Sequence, residues 1–403
     1  MNTLQLSKGR EASLLRHHPW VFSGAVARVT GNPAPGSTVQ VVAADGKPLG
    51  WAAYSPESQI RARMWAFNGI VGDNFQVDAT NIASRVQRAV QRRQHLLGEH
   101  RTAIRLIYAE SDDLPGLIVD RYGDYLSCQF LSVGAEFWRD TIIAALNEHS
   151  PNRGIYERSD VTVRKHEGLE SRKGLISGEE PPEFITINEA GRLLDVSITE
   201  GHKTGYYLDQ YDNRSLLQQL CTQAGRPLKV LNCFSYTGGF GIAALKGGAA
   251  HVTNVDSSGP ALELAGRNLE LNGFDPDQAE QVQANLFDYL RDLKQQSGSR
   301  YDMIILDPPK FAETRHQFKR ASRAYKDIAL QAGALLNPGG WLVSFSCSGA
   351  IDPPLFQKIT ADALLDAGRQ GRITHHLHQS SDHPVALPFP EALYLKGLIC
   401  HVD

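Results

Sequence analysis

Apolar and polar positions change rhythm twice along the chain. Over residues 1–75 they alternate in short runs, as in Thr38-Val39-Gln40-Val41-Val42 and Ile60-Arg61-Ala62-Arg63-Met64-Trp65. Turn signals at Gly31-Asn32-Pro33 and Asp45-Gly46-Lys47 separate them. Period-two alternation between turns predicts a small β-rich domain. Residues 76–190 read as a central α+β unit. From Thr80 to Leu97, apolar side chains at Ile82, Val86, Ala89, Val90 and Leu97 follow helical spacing. The other face carries Arg85, Arg88, Arg92 and Arg93, and such a charge run is expected to be solvated. Strand-like runs follow over 105–109, 116–120 and 125–131, then a helix-like stretch over 136–146. The polar stretch 165–182 reads as a long exposed loop.

Residues 191–403 alternate β and α patterns. An apolar strand over 227–234 runs into Ser235-Tyr236-Thr237-Gly238-Gly239-Phe240-Gly241, a helical run over 242–246, and a second strand, 251–255, that ends in Asp256. Strand, glycine turn, helix, strand, acid is one nucleotide-binding half of a doubly wound parallel sheet. The glycines allow close backbone approach to a ligand, and the acid can bind both hydroxyls of a ribose. Two further strands end in chemistry: 301–306 runs into Asp307-Pro308-Pro309-Lys310-Phe311, and 341–345 into Ser346-Cys347-Ser348-Gly349 after the turn Asn337-Pro338-Gly339-Gly340. Ligands of open α/β sheets bind outside the carboxyl ends of the strands. The fold class is therefore α/β, with a Rossmann-like doubly wound C-terminal domain. Gly238-Gly239-Phe240-Gly241 lacks the GxGxxG spacing, which makes a nicotinamide-dependent dehydrogenase the weakest reading.

Composition narrows the classes. The 403 residues are 42% hydrophobic and 21% charged, a globular balance, with 41 Lys/Arg against 44 Asp/Glu. A net charge of −3 excludes a uniformly basic nucleic-acid coat. The first 75 residues nevertheless hold seven Lys/Arg against four Asp/Glu, with cations beside aromatics in Lys8-Gly9-Arg10-Glu11 and Arg16-His17-His18-Pro19-Trp20-Val21-Phe22. Cations for phosphates beside rings that stack on bases make an RNA surface. Five scattered cysteines without a CxxC pair exclude a disulfide framework and a zinc knuckle. Cys128, Cys221, Cys233 and Cys400 read as packing thiols, and His375-His376-Leu377-His378, without a companion acid or thiol cluster, reads as a surface or strand-edge segment and not a metal site. No signal-peptide core and no apolar run of about 18 residues occurs, so a cytoplasmic protein without a membrane segment is expected.

The order of strand ends over 190–403 resembles class I S-adenosylmethionine-dependent methyltransferases. Gly201-His202-Lys203-Thr204-Gly205-Tyr206-Tyr207-Leu208-Asp209-Gln210, followed by Asp212-Asn213-Arg214, is similar to the signature preceding the methyltransferase core of the large-subunit ribosomal RNA methyltransferase I family. Lys8-Gly9-Arg10-Glu11 and His18-Pro19-Trp20-Val21-Phe22-Ser23-Gly24 resemble that family's RNA-binding PUA domain. The resemblance implies three domains: PUA-like (1–75), central α+β (76–190) and Rossmann-like methyltransferase (191–403). It implies S-adenosylmethionine as cofactor, at Asn232, Phe234, Ser235, Tyr236, Thr237, Gly238, Asp256, Asn285, Asp307, Tyr207 and Gln210. The implied partner is large-subunit ribosomal RNA, met by Lys8, Arg10, Lys203 and Lys310; the sequence leaves the oligomeric state open, a homodimer being one candidate. Two positions depart from the pattern: Tyr211 stands where relatives have Arg, and Asn285 where they have an Asp that reads the adenine amino group; the Asn carbonyl can accept the same hydrogen bond.

Carbon 5 of cytosine is a poor nucleophile, so methylating it needs a temporary bond at carbon 6, for which a thiolate is suited. By resemblance to RNA cytosine-C5 methyltransferases, Cys347 is that nucleophile and Asp307 holds the cytosine edge. Asp-Pro-Pro equally suits transfer to an exocyclic amino nitrogen, which needs no cysteine. A non-catalytic RNA-binding assembly factor is the alternative of another class.

Overall fold

The computed structural model describes residues 2–71, 75–296, 300–312 and 317–403. The chain divides into two compact units. The first comprises Met1–Ile187, Val196–Leu208 and Asp382–Ala392, and the second Asn188–Asp195, Asp209–Ser381 and Leu393–Asp403.

In the first unit, β1 (Thr3–Leu6), β2 (Trp20–Phe22), β3 (Val26–Thr30), β4 (Thr38–Val42), β5 (Pro48–Tyr54) and β6 (Ile60–Phe67) form one sheet, in the order β2-β6-β5-β4-β1-β3. Its alternating apolar side chains, Leu4, Leu6, Val39, Val41, Ala62 and Met64, build one core. β7 (Ala103–Tyr108), β8 (Leu117–Tyr122), β9 (Tyr125–Phe130), β10 (Gly154–Ser159) and β11 (Arg172–Gly178) form a second sheet. Helices α1 (Ala79–Arg93), α2 (Val133–Phe137) and α3 (Arg139–His149) accompany it. Ala53 and Trp65 of the first sheet lie in the second core, with Ile82, Val86 and Ile142. The two N-terminal segments distinguished in the sequence thus share a compact unit.

Two readings of this unit change. The loop foreseen over 165–182 contains β11, paired antiparallel to β10 at the sheet edge. Edge position leaves much of its surface exposed, which erases the apolar alternation that marks a strand. The basic face of α1 is not simply solvated either. Arg93 is buried and pairs with Asp112 at 2.7 Å, while buried Arg85 donates to Asn81 and to the Asp113 carbonyl at 2.9 and 2.8 Å. Buried guanidinium groups need such partners, and of these Asp112 and Asp113 lie 19 and 28 residues away from Arg93 and Arg85.

β12 (Ile185–Glu189) and β13 (Arg192–Val196) form a hairpin. The second unit is built on a seven-stranded sheet of β14 (Lys229–Cys233), β15 (His251–Asp256), β16 (Ala279–Gln283), β17 (Tyr301–Leu306), β18 (Leu336–Ser346), β19 (Gly371–Leu377) and β20 (Lys396–Val402). The order is β16-β15-β14-β17-β18-β20-β19. Neighbours from β16 to β18 are parallel, and β20 runs antiparallel to β18 and β19. Strand order reverses between β14 and β17, so the crevice for a ligand lies at their carboxyl ends. The helices are α4 (Tyr211–Gln223), α5 (Gly239–Lys246), α6 (Gly259–Leu271), α7 (Leu286–Gln295), α8 (Phe318–Leu335) and α9 (Pro353–Asp366). Leu290, Tyr325, Ile328 and Phe356 of three of them pack with Leu231, Ile304 and Leu342 of the sheet. Each fully buried side chain of this size contributes roughly 1.5–3 kcal/mol. The Asn337–Gly340 turn lies inside β18 as a bulge: Tyr301 faces Leu336, whereas Met303 already faces Trp341. Gly339 takes φ 78° there, which a side chain would resist.

Candidate active site

The cofactor-loop sequence folds into a turn that two non-glycine residues enter at a cost. Phe234 and Tyr236 adopt φ 58° and 48°, left-handed values that are unfavourable for side chains with a Cβ. Asp256 at the end of β15 holds the turn: Tyr236 N–H donates to Oδ2 and Ser258 N–H to Oδ1, each at 2.9 Å. Gly238, at φ 79°, caps α5. Buried Asn232 donates from Nδ2 to Asn254 Oδ1 at 2.9 Å. A Cβ on Gly241 would stand 2.6 Å from that same oxygen, so glycine is required there. Asn268 Nδ2 fastens the loop from α6 by donating to the Thr237 carbonyl at 3.0 Å.

Two side chains of the turn are buried and unsatisfied: Ser235 Oγ and Thr237 Oγ1 have no hydrogen-bond partner among the described residues. Buried hydroxyls without partners are costly, and their position at the switch point calls for a polar ligand. Glycine turn, orphan hydroxyls and half-buried carboxylate suit a polar ligand that carries hydroxyl groups.

β17 delivers Asp307, half-buried, to the same end of the sheet. Gln210 Nε2 donates to Asp307 Oδ2 at 3.0 Å, Asn213 Nδ2 donates to Gln210 Oε1 at 2.6 Å, and the same amide reaches the His378 carbonyl at 3.0 Å. This chain of amides fixes the carboxylate from behind. Next to β17, β18 ends at Ser346, and Cys347 follows half-buried between two buried serines. Ser348 Oγ accepts from Ala312 N–H at 3.3 Å and lies 3.3 Å from the Tyr325 hydroxyl. Cys128, Cys221, Cys233 and Cys400 are buried. Burial pushes all four thiols up, Cys221 to about 12 and Cys400 to about 11. They are inert packing groups.

Residues 157–386 match the family model of S-adenosylmethionine-dependent methyltransferases, and residues 4–67 that of a PUA-like domain. The ribosomal RNA large subunit methyltransferase I of Aeromonas salmonicida is 51% identical over 397 residues, covering 98% of each chain. The protein of that name from Cronobacter sakazakii is 50% identical over 400 residues, 99% of each. The chain belongs to the ribosomal RNA large subunit methyltransferase I family. Its cofactor is S-adenosylmethionine. Among solved structures, a Streptococcus mutans protein described as an S-adenosylmethionine-dependent methyltransferase superposes with TM-score 0.83 at 24% identity, over the full length of both chains. A further methyltransferase structure, complexed with SAH, gives 0.84 at 24% over the same coverage. At that identity these two speak for the fold.

The second unit of this family member brings together Asn232, Phe234, Ser235, Tyr236, Thr237, Gly238 and Asp256 in one turn, and joins Gln210 to Asp307. Asn285 also begins a helix: its carbonyl accepts from Phe287 and Asp288 N–H at 3.0 and 3.5 Å and so caps α7. Tyr207 and Lys203 lie in the first unit, with the Lys203 ammonium 4.9 Å from the centre of the Tyr207 ring. The signature around them needs its glycines: a Cβ on Gly201 would meet the Ser197 and Gly205 carbonyls at 2.3 Å. Lys8, Arg10 and Lys310 are exposed.

The aromatic part of the foreseen RNA surface is largely engaged within its own unit. Trp20 donates from Nε1 to Glu110 at 2.8 Å and packs edge-on against Phe389, whereas Phe22 stays exposed. Beside it the first unit holds a cavity of about 420 Å³ lined by His17, Trp65, Phe67, Phe75, Arg85 and Arg88 among others. The sequence did not point to Phe311. Its ring neighbours Phe234, Phe287 and Tyr325 at 6.3, 5.8 and 4.8 Å, forming an aromatic wall from the cofactor turn to the Cys347 turn. A single aromatic after Pro-Pro carries no periodic signal that would reveal it. The histidines of 375–378 flank or lie on the edge strand β19, and no metal-holding group of His, Cys, Asp or Glu occurs among the described residues. No described helix is long and apolar enough to cross a membrane.

Proposed function

We propose that this protein methylates carbon 5 of a cytosine in large-subunit ribosomal RNA, through a transient bond between Cys347 and carbon 6. The relatives' names carry the RNA class. The observation that carries the atom is Cys347: of five thiols it is the one not buried, and it stands at the strand end beside the one bearing Asp307. A transfer to an amino nitrogen would have no use for it.

S-adenosylmethionine supplies a methyl group on a sulfonium. Asn232, Phe234, Ser235, Tyr236, Thr237 and Gly238 form its turn, with the Ser235 and Thr237 hydroxyls supplying the unpaired polar groups. Asp256 takes the ribose hydroxyls on lone pairs not used by the backbone. Asn285 accepts from the adenine amino group on the lone pair of its carbonyl that the α7 cap does not use. Asp307 holds the cytosine edge at N3 and N4, oriented by Gln210. The Cys347 thiolate adds to carbon 6, forming a carbon–sulfur bond and moving the 5,6 electron pair toward carbon 5. Carbon 5 would take the methyl with the electron pair it has gained, the sulfur–methyl bond breaking to leave a neutral thioether. A base then removes the carbon-5 proton, the double bond returns and the thiolate leaves. The target must be unpaired or flipped out of its stack. Exposed Lys8, Arg10, Lys203 and Lys310 meet phosphates, and the aromatic, arginine-bearing cavity of the first unit supports RNA contact there.

The test is transfer of tritiated methyl to ribosomal RNA from a strain lacking the enzyme, with nucleoside analysis. Label in 5-methylcytidine supports the reading; label in an N-methylated nucleoside overturns it.

A further inference from the structure

Lys396 opens β20, directly across the ladder from Ser346, the residue before Cys347. Its Nζ donates to the Ser348 carbonyl at 2.7 Å and to the Ile351 carbonyl at 2.9 Å. These two bonds lace the turn that carries Cys347 to the neighbouring strand. A half-buried ammonium bound to two turn carbonyls retains a third N–H, and its charge is felt at Cys347.

We propose that Lys396 is the positioning residue of the Cys347 thiol: it fixes the Ser346–Ile351 turn and stabilises the thiolate that attacks carbon 6. This rests on the covalent reading above. A cation beside a partly accessible cysteine favours the ionised sulfur, since the charges attract in a poorly solvated site. The thiol proton goes to solvent, the sulfur carries the negative charge opposite the ammonium, and elimination returns the thiolate to the same partner.

Charges of both signs surround Lys396. Burial pulls Lys396 down to about 8, against the attraction of Cys347 and of Asp352 at the head of α9, while Lys310 after β17 adds repulsion. From α8 the Tyr325 hydroxyl faces the same turn, raised by burial and by the neighbouring Cys347. Near neutral pH the ammonium form therefore predominates, and it is lost as pH rises through about 8.

The experiment measures alkylation of Cys347 by iodoacetamide as a function of pH, by mass spectrometry of its peptide, in the full chain without RNA. Wild type is compared with Lys396→Met and Lys396→Arg. In Lys396→Met the midpoint of the rate profile should rise by about one pH unit, and the rate at pH 7 should fall about tenfold. Lys396→Arg, which keeps the charge, should stay within about threefold of wild type. Thermal melting identifies folded variants; if Lys396→Met does not fold, Lys396→Gln takes its place. A folded neutral variant with an unmoved profile overturns the proposal, as does an arginine variant that behaves like the neutral one. Because alkylation needs no methyl transfer, failure here is separate from failure of the covalent reading, which shows as full activity of Cys347→Ser.

Discussion

Ser235 and Thr237 each bury a hydroxyl that finds no partner among the described residues. A buried unsatisfied group costs free energy, so Ser235→Ala should leave the cofactor-free melting temperature unchanged or slightly raised. The same substitution should weaken S-adenosylmethionine by about tenfold, the worth of one hydrogen bond, as read by calorimetry. Unchanged affinity would remove Ser235 from the cofactor site. Gly241→Ala has a different signature. Its methyl would stand 2.6 Å from Asn254 Oδ1 and disturb the Asn232–Asn254 bond, so it should lower stability by about 1–3 kcal/mol in denaturant titration. At this scale the sequence was legible where a residue type has one use. The strand-end place of Asp256, the glycine turn and the burial of Cys128, Cys221, Cys233 and Cys400 could be read directly. The capping role of the Asn285 carbonyl could not, because the bonds to Phe287 and Asp288 N–H appear only once α7 is folded.

Asn285 also tests the element it begins. Asn285→Asp keeps the acceptor that caps α7, whereas Asn285→Ala should cost about 1 kcal/mol of stability in denaturant titration. Elements were legible in the sequence where one face is buried against a core. α1 begins within a residue of its expected start, and β4 spans the foreseen Thr38–Val42. β14, β15 and β17 likewise carry the short apolar runs of a covered parallel sheet. β11 was not legible, because an edge strand with few buried positions has the composition of a loop. Nor was the burial of Arg85 and Arg93, since their partners near Asp112 and Asp113 are set by tertiary folding and leave no mark on the helix itself.

The whole molecule depends on segments that return from far along the chain. Asp382–Ala392 belongs to the first unit although Met1–Ile187 forms most of it. Buried Asp382 pairs with Arg101 at 3.1 Å, meets His383 Nδ1 at 3.0 Å and accepts from Arg105 N–H at 2.9 Å. Burial alone would raise its carboxyl, but His383, Arg101 and the Arg105 N–H outweigh it and hold the group well below the usual carboxylate range. A lowered folded value means the unfolded chain binds the proton more readily. The stabilisation is thus complete above the unfolded value, about 3.9, and is lost as pH falls from there through the folded value. Asp382→Asn strands the buried Arg101 guanidinium and should cost about 3–5 kcal/mol at pH 7, with a shallower loss of stability on acidification than wild type. The methyl transfer itself is tested most directly with a large-subunit ribosomal RNA fragment carrying 5-fluorocytidine, incubated with enzyme and S-adenosylmethionine. Fluorine at carbon 5 leaves no proton to remove, so elimination stalls. The account predicts a denaturation-resistant protein–RNA adduct whose mass maps to Cys347 and which Cys347→Ser does not form. Enzyme that methylates the unsubstituted RNA yet forms no such adduct, or forms it through another residue, would contradict it.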